Sequence, residues 1–309
     1  MATTTTNTPT DAAAPRVRPQ PPAPPRRGRG RRAGSAGRQL HGGWLTYTIL
    51  IIFTIGSLIP LVWALIASSH NNSSLAKTPP PFWFGGEMAS NWKFAWEQAH
   101  MGTAMLNTLV VAGTITLSTV LFCTLAGFAF AKLRFRAKNV LMLLVIGTMM
   151  VPPQLTVVPL FMWVSELGWT DHLQAVIVPQ LVAAFGVFFM RQYLVQALPS
   201  EIIEAARVDG AHSLRIVWHV VFPAARPAMA VLGMLTFVMA WNEFFWPIIA
   251  LTEENPTVQV ALTAIPQGYV PNEGAIMAGA VIGTLPLLVA LALFGKQIVG
   301  GIMHGAVKG

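Results

Sequence analysis

The sequence predicts an all-α membrane protein with six transmembrane helices and both ends on the cytoplasmic side. Three observations predict it. Of 309 residues, 54% are apolar and only 10% charged, whereas a soluble domain carries roughly 25% charged residues. The apolar residues fall in six long runs, at 44–66, 105–130, 140–162, 173–190, 228–250 and 275–295. A helix needs roughly 20 such residues to cross a bilayer core about 30 Å thick. Finally, Lys and Arg segregate to one side of the bilayer.

That segregation fixes the orientation. With the amino terminus inside, the internal segments are the tail, 131–139, 191–227 and the end after 295. They hold 18 of the 20 Lys and Arg residues, leaving only Lys77 and Lys93 outside. Basic segments stay on the cytoplasmic side, and an odd number of spans would scatter them. The first run is too long for a signal-peptide core, and no small-x-small cleavage site follows it.

Of the formal charge of +8, +7 belongs to the tail, where eight Arg face one acid, Asp11. Residues 1–43 are Pro- and Arg-rich and predict a disordered cytoplasmic tail that lies against anionic membrane lipid, not nucleic acid. Residues 44–309 form one membrane domain. Its spans carry Pro60, Pro152, Pro153, Pro159, Pro179, Pro247 and Pro286, tolerated where neighbours satisfy the freed carbonyls. Cys123, the single cysteine, lies in an apolar run and reads as a buried thiol. In the long external loop 67–104, Trp83, Trp92 and Trp96 read as interfacial anchors, with a short amphipathic helix at 90–100.

The long internal loop 191–227 carries the most informative pattern. Pro199-Ser200-Glu201 is a helix start with an acid in its first turn. Ile202, Ala205, Ala206 and Val208 give the helix an apolar side, and Gly210 ends it. A second helix is expected from Ser213 to Val221, with Pro223 and Pro227 marking its end. An apolar stripe on a water-exposed hairpin needs a cover: the ends of its own bundle, or a groove on another protein. His212 and His219 lack a third ligand, so no metal site is expected.

The loop resembles the EAA motif of ABC-importer permeases, matching at Glu204, Ala205, Ala206, Asp209, Gly210, Ala211 and Pro223 and departing at Ile216 and Phe222. Asn107-Thr108, Ala126-Gly127-Phe128-Ala129-Phe130-Ala131 with Phe135, Met150-Val151-Pro152-Pro153, Ala240-Trp241-Asn242-Glu243 with Trp246-Pro247, and Gly305-Ala306-Val307-Lys308-Gly309 look like the carbohydrate-uptake branch. Within it the chain is most similar to the second permease of the maltose system, the G-type subunit. The resemblance covers residues 44–309; the basic tail has no counterpart in it.

The resemblance implies a type I importer fold and a cytoplasmic coupling helix, with Glu204, Ala205, Ala206, Asp209 and Gly210 gripped by an ATPase subunit. It also implies a complex with a paralogous permease, two ATPase subunits and an extracytoplasmic sugar-binding protein. The chain itself is expected to bind no cofactor and hydrolyse nothing. A phosphate-cradling loop needs Walker spacing, and Gly295-Lys296-Gln297 lacks both the leading Gly and the hydroxyl; ATP and Mg belong on the partner ATPase.

Candidate substrate-pathway residues are Asn242, Glu243, Trp241 and Trp246, since sugars take planar hydrogen-bonding groups and an aromatic platform. On a continuous helix Asn242 and Trp246 share a face. The alternative is that these groups only stabilise the bundle. Gln154 and Gln180 are weaker candidates. In the external loop 251–274, Gln267, Tyr269 and Asn272 are candidates for contact with the binding protein; an ordinary solvated connector is the other reading. Glu243 is the one carboxylate well inside a span, which gives thin support to an alternative class, an ion-coupled secondary transporter.

Overall fold

Long apolar runs with their backbone groups satisfied internally can only be helices here, and helices form every regular element among the described residues. The computed structural model describes residues 2–3, 43–266 and 269–306, so the tail expected at 1–43 lies outside them except for Ala2, Thr3 and Gly43. The elements are α1 (Trp44–Ala67), α2 (Asn72–Leu75), α3 (Met88–Gln98), α4 (Met101–Lys132), α5 (Lys138–Thr148), α6 (Val157–Glu166) and α7 (Leu173–Ile177). They continue with α8 (Ala184–Ala197), α9 (Ser200–Val208), α10 (Ser213–Ile216), α11 (Phe222–Trp241), α12 (Pro247–Ala250), α13 (Val258–Ala261) and α14 (Glu273–Ala306). The chain divides into two units, Met1–Phe53, which includes the opening turns of α1, and Thr54–Gly309.

Five stretches are long and apolar enough to cross a membrane: α1, α4, Leu173–Ala197, Ser213–Trp241 and Glu273–Leu293. The third predicted run differs from expectation. It is split into α5 and a Pro153–Glu166 segment bent by 94° from it, so it is a broken span or a re-entrant loop. The cause is local. Pro152 is extended at φ −60° and ψ 128°, two successive residues lack an N–H, and a residue before proline is pushed out of the helical region.

The fifth run also differs. It starts earlier, because the expected stop at Pro223 and Pro227 does not occur: α10 continues into α11 through one π-turn, Val217–Val221. A proline ring clashes with the carbonyl four residues back; for Pro223 that carbonyl belongs to His219, inside the π-turn that pairs the Phe222 N–H with Val217 O, while Pro227 stands inside α11 itself. The run also ends earlier, since α11 stops at Trp241 and the chain is irregular before α12.

In the Thr54–Gly309 unit α4 is the central post, packing on α8 and α11, while α11 also meets α14. Small residues set these approaches, as is usual between membrane helices. A Cβ on Gly127 would lie 2.7 Å from Met190 Cβ and 2.8 Å from Arg191 N, and one on Gly186 would lie 2.7 Å from Cys123 Sγ. Cys123 is buried, as its surroundings predict, with its Sγ 3.3 Å from Ala183 O. Two apolar cores result. One, at the α3 end, gathers Met101, Val111, Ile115, Trp241, Trp246, Val258 and Ile265. The other, at the α9 end, gathers Phe128, Met190, Leu194, Ile203, Ile216, Val221 and Leu232.

The α3 end is closed by side chains that satisfy backbone groups. The buried Asn91 donates to Ser68 O (3.0 Å) and His70 O (2.9 Å) and accepts from Asn272 Nδ2 (3.2 Å). The helix expected on the outer surface at 90–100 is α3, and it is packed against α14 through Asn91 and Ala95 rather than lying free.

Candidate functional site

The α9 hairpin starts where the sequence places it. Pro199 stands at the N-cap position, and Glu201 in the first turn favours the helix dipole. At the other end Gly210 has φ +78°. The Ala211 N–H reaches Ala206 O (2.9 Å) and the Gly210 N–H reaches Arg207 O (3.0 Å), which is a Schellman closure. The apolar pair that accompanies such closures is Ala206 and Ala211, both packed on the α9-end core.

Burial divides the helix differently from its apolar pattern. The side expected to be apolar comprised Ile202, Ala205, Ala206 and Val208; only Ala206 of these packs inward, beside Ile203, which is 5% exposed. Ile202 (47%), Val208 (87%), Leu214 (65%) and Trp218 (60%) are exposed, and so are Ala205, Glu204 and Asp209. The inner residues hold the hairpin to its own bundle, leaving an outer apolar strip edged by two carboxylates. Pro223 is exposed at the start of α11. Trp218 is braced by Phe222, edge to face at 4.8 Å. His212 Nδ1 lies 3.4 Å from the Arg215 N–H at the start of α10, and His219 Nδ1 lies 3.0 Å from Arg215 O; among the described residues no cluster suits a metal ion.

Asn242 and Trp246 do not share a helix face, because the helix ends at Trp241. Trp241 is 2% exposed and donates its indole N–H to Gly283 O (3.1 Å); Trp246 is 6% exposed and donates to Ala175 O (2.9 Å). Both rings are buried here and present no open platform. Glu243 accepts the Trp246 N–H (3.2 Å), capping the next turn, and the exposed Asn242 donates to Val238 O (2.8 Å). Between the two cores lies a cavity of about 550 Å³ whose polar lining comes from Thr119, Gln180 and Thr236 beside Phe185 and Met239. Of these the sequence pointed only to Gln180. The break at Pro179, where a three-residue 3-10 turn joins α7 to the segment before α8, was the signal that could have found the rest. Gln154 sits in the 3-10 turn at the bend before α6.

The loop 251–274 is only partly a solvated connector. Val258, Ala261 and Ile265 are buried in the α3-end core. Thr108 Oγ1 accepts the Val258 N–H (2.7 Å), and Asn107 Nδ2 donates to Pro256 O (3.1 Å), which gives the Asn107-Thr108 pair a structural role. Asp171, at φ 62°, accepts the Thr252 N–H (2.8 Å) and faces the Asn255 amide (3.3 Å). Burial opposes its charge, but these donors and the neighbouring His172 outweigh it and hold the carboxyl below its ordinary value. Tyr269 is fully exposed. Asn272 caps α14 by accepting the Ala275 N–H (3.1 Å). Gln267 lies outside the described residues.

Residues 123–302 match the family described as binding-protein-dependent transport system inner membrane component. The chain is 27% identical over 263 residues to the lactose transport system permease protein LacG of Rhizobium radiobacter, covering 85% of this chain and 95% of the relative. It is 32% identical over 204 residues to the arabinooligosaccharides transport system permease protein AraQ of Bacillus subtilis, covering 66% and 72%. Its fold matches the crystal structure of a bacterial ABC transporter involved in the import of the acidic polysaccharide alginate, with TM-score 0.70 and 23% identity over 82% of this chain and 94% of that one. The chain therefore belongs to the binding-protein-dependent transport family, as one of its multi-pass inner membrane components.

Proposed function

We propose that the chain is one permease half of an ATP-driven carbohydrate importer, of the maltose G-type, with both ends cytoplasmic. It pairs with a paralogous permease and two ATPase subunits and receives sugar from an extracytoplasmic binding protein. One observation carries the coupling assignment: α9 is pinned from within by Ile203 and Ala206 while Ile202, Ala205 and Val208 face outward beside Glu204 and Asp209. A helix tied to its bundle through Ile203 and Ala206, yet carrying an uncovered apolar strip, is built to seat in a groove and pass its displacement on. Small Ala205 permits close approach, and the Schellman turn at Gly210 makes the hairpin stiff.

The lactose and arabinooligosaccharide permeases among its relatives support a carbohydrate as cargo. In this chain the pathway runs past the cavity at Thr119, Gln180 and Thr236, with Asn242 and Glu243 at the break that follows α11. Tyr269 and the neighbouring exposed Val270, with Gln267 and Asn272, form the contact for the binding protein. ATP and Mg act only in the partner ATPase.

The test replaces Glu204 by Lys and, separately, Gly210 by Pro in the full chain expressed with its partners. Sugar uptake is abolished while the amount of chain in the membrane is unchanged, and the ATPase no longer co-purifies. Normal uptake with the ATPase at wild-type levels would overturn the coupling role of α9.

A further inference from the structure

Four basic side chains converge at the α9 end where three elements meet. Lys132 closes α4, Arg134 follows in the connecting loop, Lys138 opens α5 and Arg191 projects from α8. Lys132 and Arg191 both lie within electrostatic reach of Lys138. The two lysines are anchored to backbone carbonyls: Lys132 Nζ to Val195 O (3.4 Å) and Lys138 Nζ to Leu133 O (3.1 Å). No acidic residue occurs in the sequence from 98 to 165 or from 172 to 200. Among the described residues none of the four has a carboxylate partner; the one ion pair recorded is Lys93 with Glu97. The Arg191 Nε is buried and lacks a hydrogen-bond partner.

Retention on one side of the membrane explains why such charges are present, but not why they are gathered and pinned together. Gathered cations without counter-charge repel one another, so an anion is the missing component. A cavity of about 390 Å³ opens beside them, lined by Arg134, Phe135, Lys138 and Val140. Val140 gives it an apolar edge, and further along α5 the apolar surface continues, with Val140, Leu143 and Leu144 59%, 69% and 60% exposed. Phe135 packs edge to face on Phe130 at 5.7 Å, which steadies the rim.

We infer that this basic cavity binds the headgroup of an anionic phospholipid, with an acyl chain lying along Val140, Leu143 and Leu144. A free phosphate would satisfy the cations but leave the apolar rim unused. An acidic protein segment would have to desolvate beside a lipid-facing helix. The inference rests on the chain spanning the membrane and is independent of the cargo.

The full chain, purified in neutral detergent, is titrated with phosphatidylglycerol, phosphatidylcholine and inorganic phosphate while its melting temperature is followed. Phosphatidylglycerol raises the melting temperature and the other two do not. Each interfacial cation contributes enough that the double variant Lys132→Gln/Lys138→Gln shifts the titration midpoint roughly 30-fold upward. Lys77→Gln/Lys93→Gln, with the same charge change elsewhere, responds as wild type, and Lys132→Arg/Lys138→Arg retains the response. Native mass spectrometry gives a second reading, with phosphatidylglycerol retained by wild type in preference to phosphatidylcholine. An equal response of both double glutamine variants would overturn the site. So would an equal response to inorganic phosphate, or a normal lipid response in Lys132→Gln/Lys138→Gln accompanied by loss of a co-purifying ATPase.

Discussion

Replacing Gly210 by Ala isolates the backbone contribution to the α9 turn. Gly210 has φ +78°, and a Cβ added there meets nothing within 4 Å. The substitution therefore removes no contact and introduces no clash. Its whole cost is the left-handed conformation, about 1–2 kcal/mol for a residue bearing a Cβ. The structure gives this energy one outlet, opening of the Ala211-to-Ala206 and Gly210-to-Arg207 hydrogen bonds. Amide hydrogen exchange at Gly210 and Ala211 should accelerate by roughly 5- to 30-fold, with the spans unaffected. Gly210→Asn should lose less, because Asn tolerates this region. Unchanged exchange at both amides in Gly210→Ala would refute the closure as the element that stiffens the hairpin.

Other substitutions test the packing and the stapled α3 end. Gly127→Val forces α4 from the α8 backbone, where even a Cβ would stand 2.7–2.9 Å from Met190 and Arg191; overpacking of this kind costs about 1–3 kcal/mol, read as a lowered melting temperature. Thr108→Val keeps the shape but leaves the buried Val258 N–H without its acceptor, a loss of about 1–3 kcal/mol, seen as faster proteolysis of the 251–266 segment. Asp171 titrates below its ordinary value when folded, so its contribution to stability is present above the unfolded value, about 3.9. It disappears as pH falls through the folded one. A melting-temperature profile over pH 2–6 should lose part of its acid limb in Asp171→Asn.

The spans were legible because twenty apolar residues in sequence leave few structural options, and four of the six stand close to where composition puts them. The broken third span was not, since an apolar window carries no direction; only Val151-Pro152-Pro153 hinted at the 94° turn. A proline reads as a helix end, but Pro223 follows a π-turn at the start of α11 and Pro227 stands inside that helix. In the α9 hairpin the start at Ser200 and the turn at Gly210 followed from local chemistry. Which apolar residues face inward did not, because Ile203 is chosen by the core it packs into and not by the helix's own periodicity. Trp241 and Trp246 show the same gap: an indole reads as a platform until its N–H is found bonded to a carbonyl 42 or 71 residues away.

The proposed role of α9 requires that the bundle move carbohydrate only when an ATPase drives it through this helix. The direct measurement is uptake of radiolabelled sugar into proteoliposomes holding the chain with its co-purified partners, with the binding protein added outside. Accumulation should require ATP inside and vanish in Gly210→Pro. Uptake that persists without ATP and collapses when an ion gradient is dissipated would contradict the account.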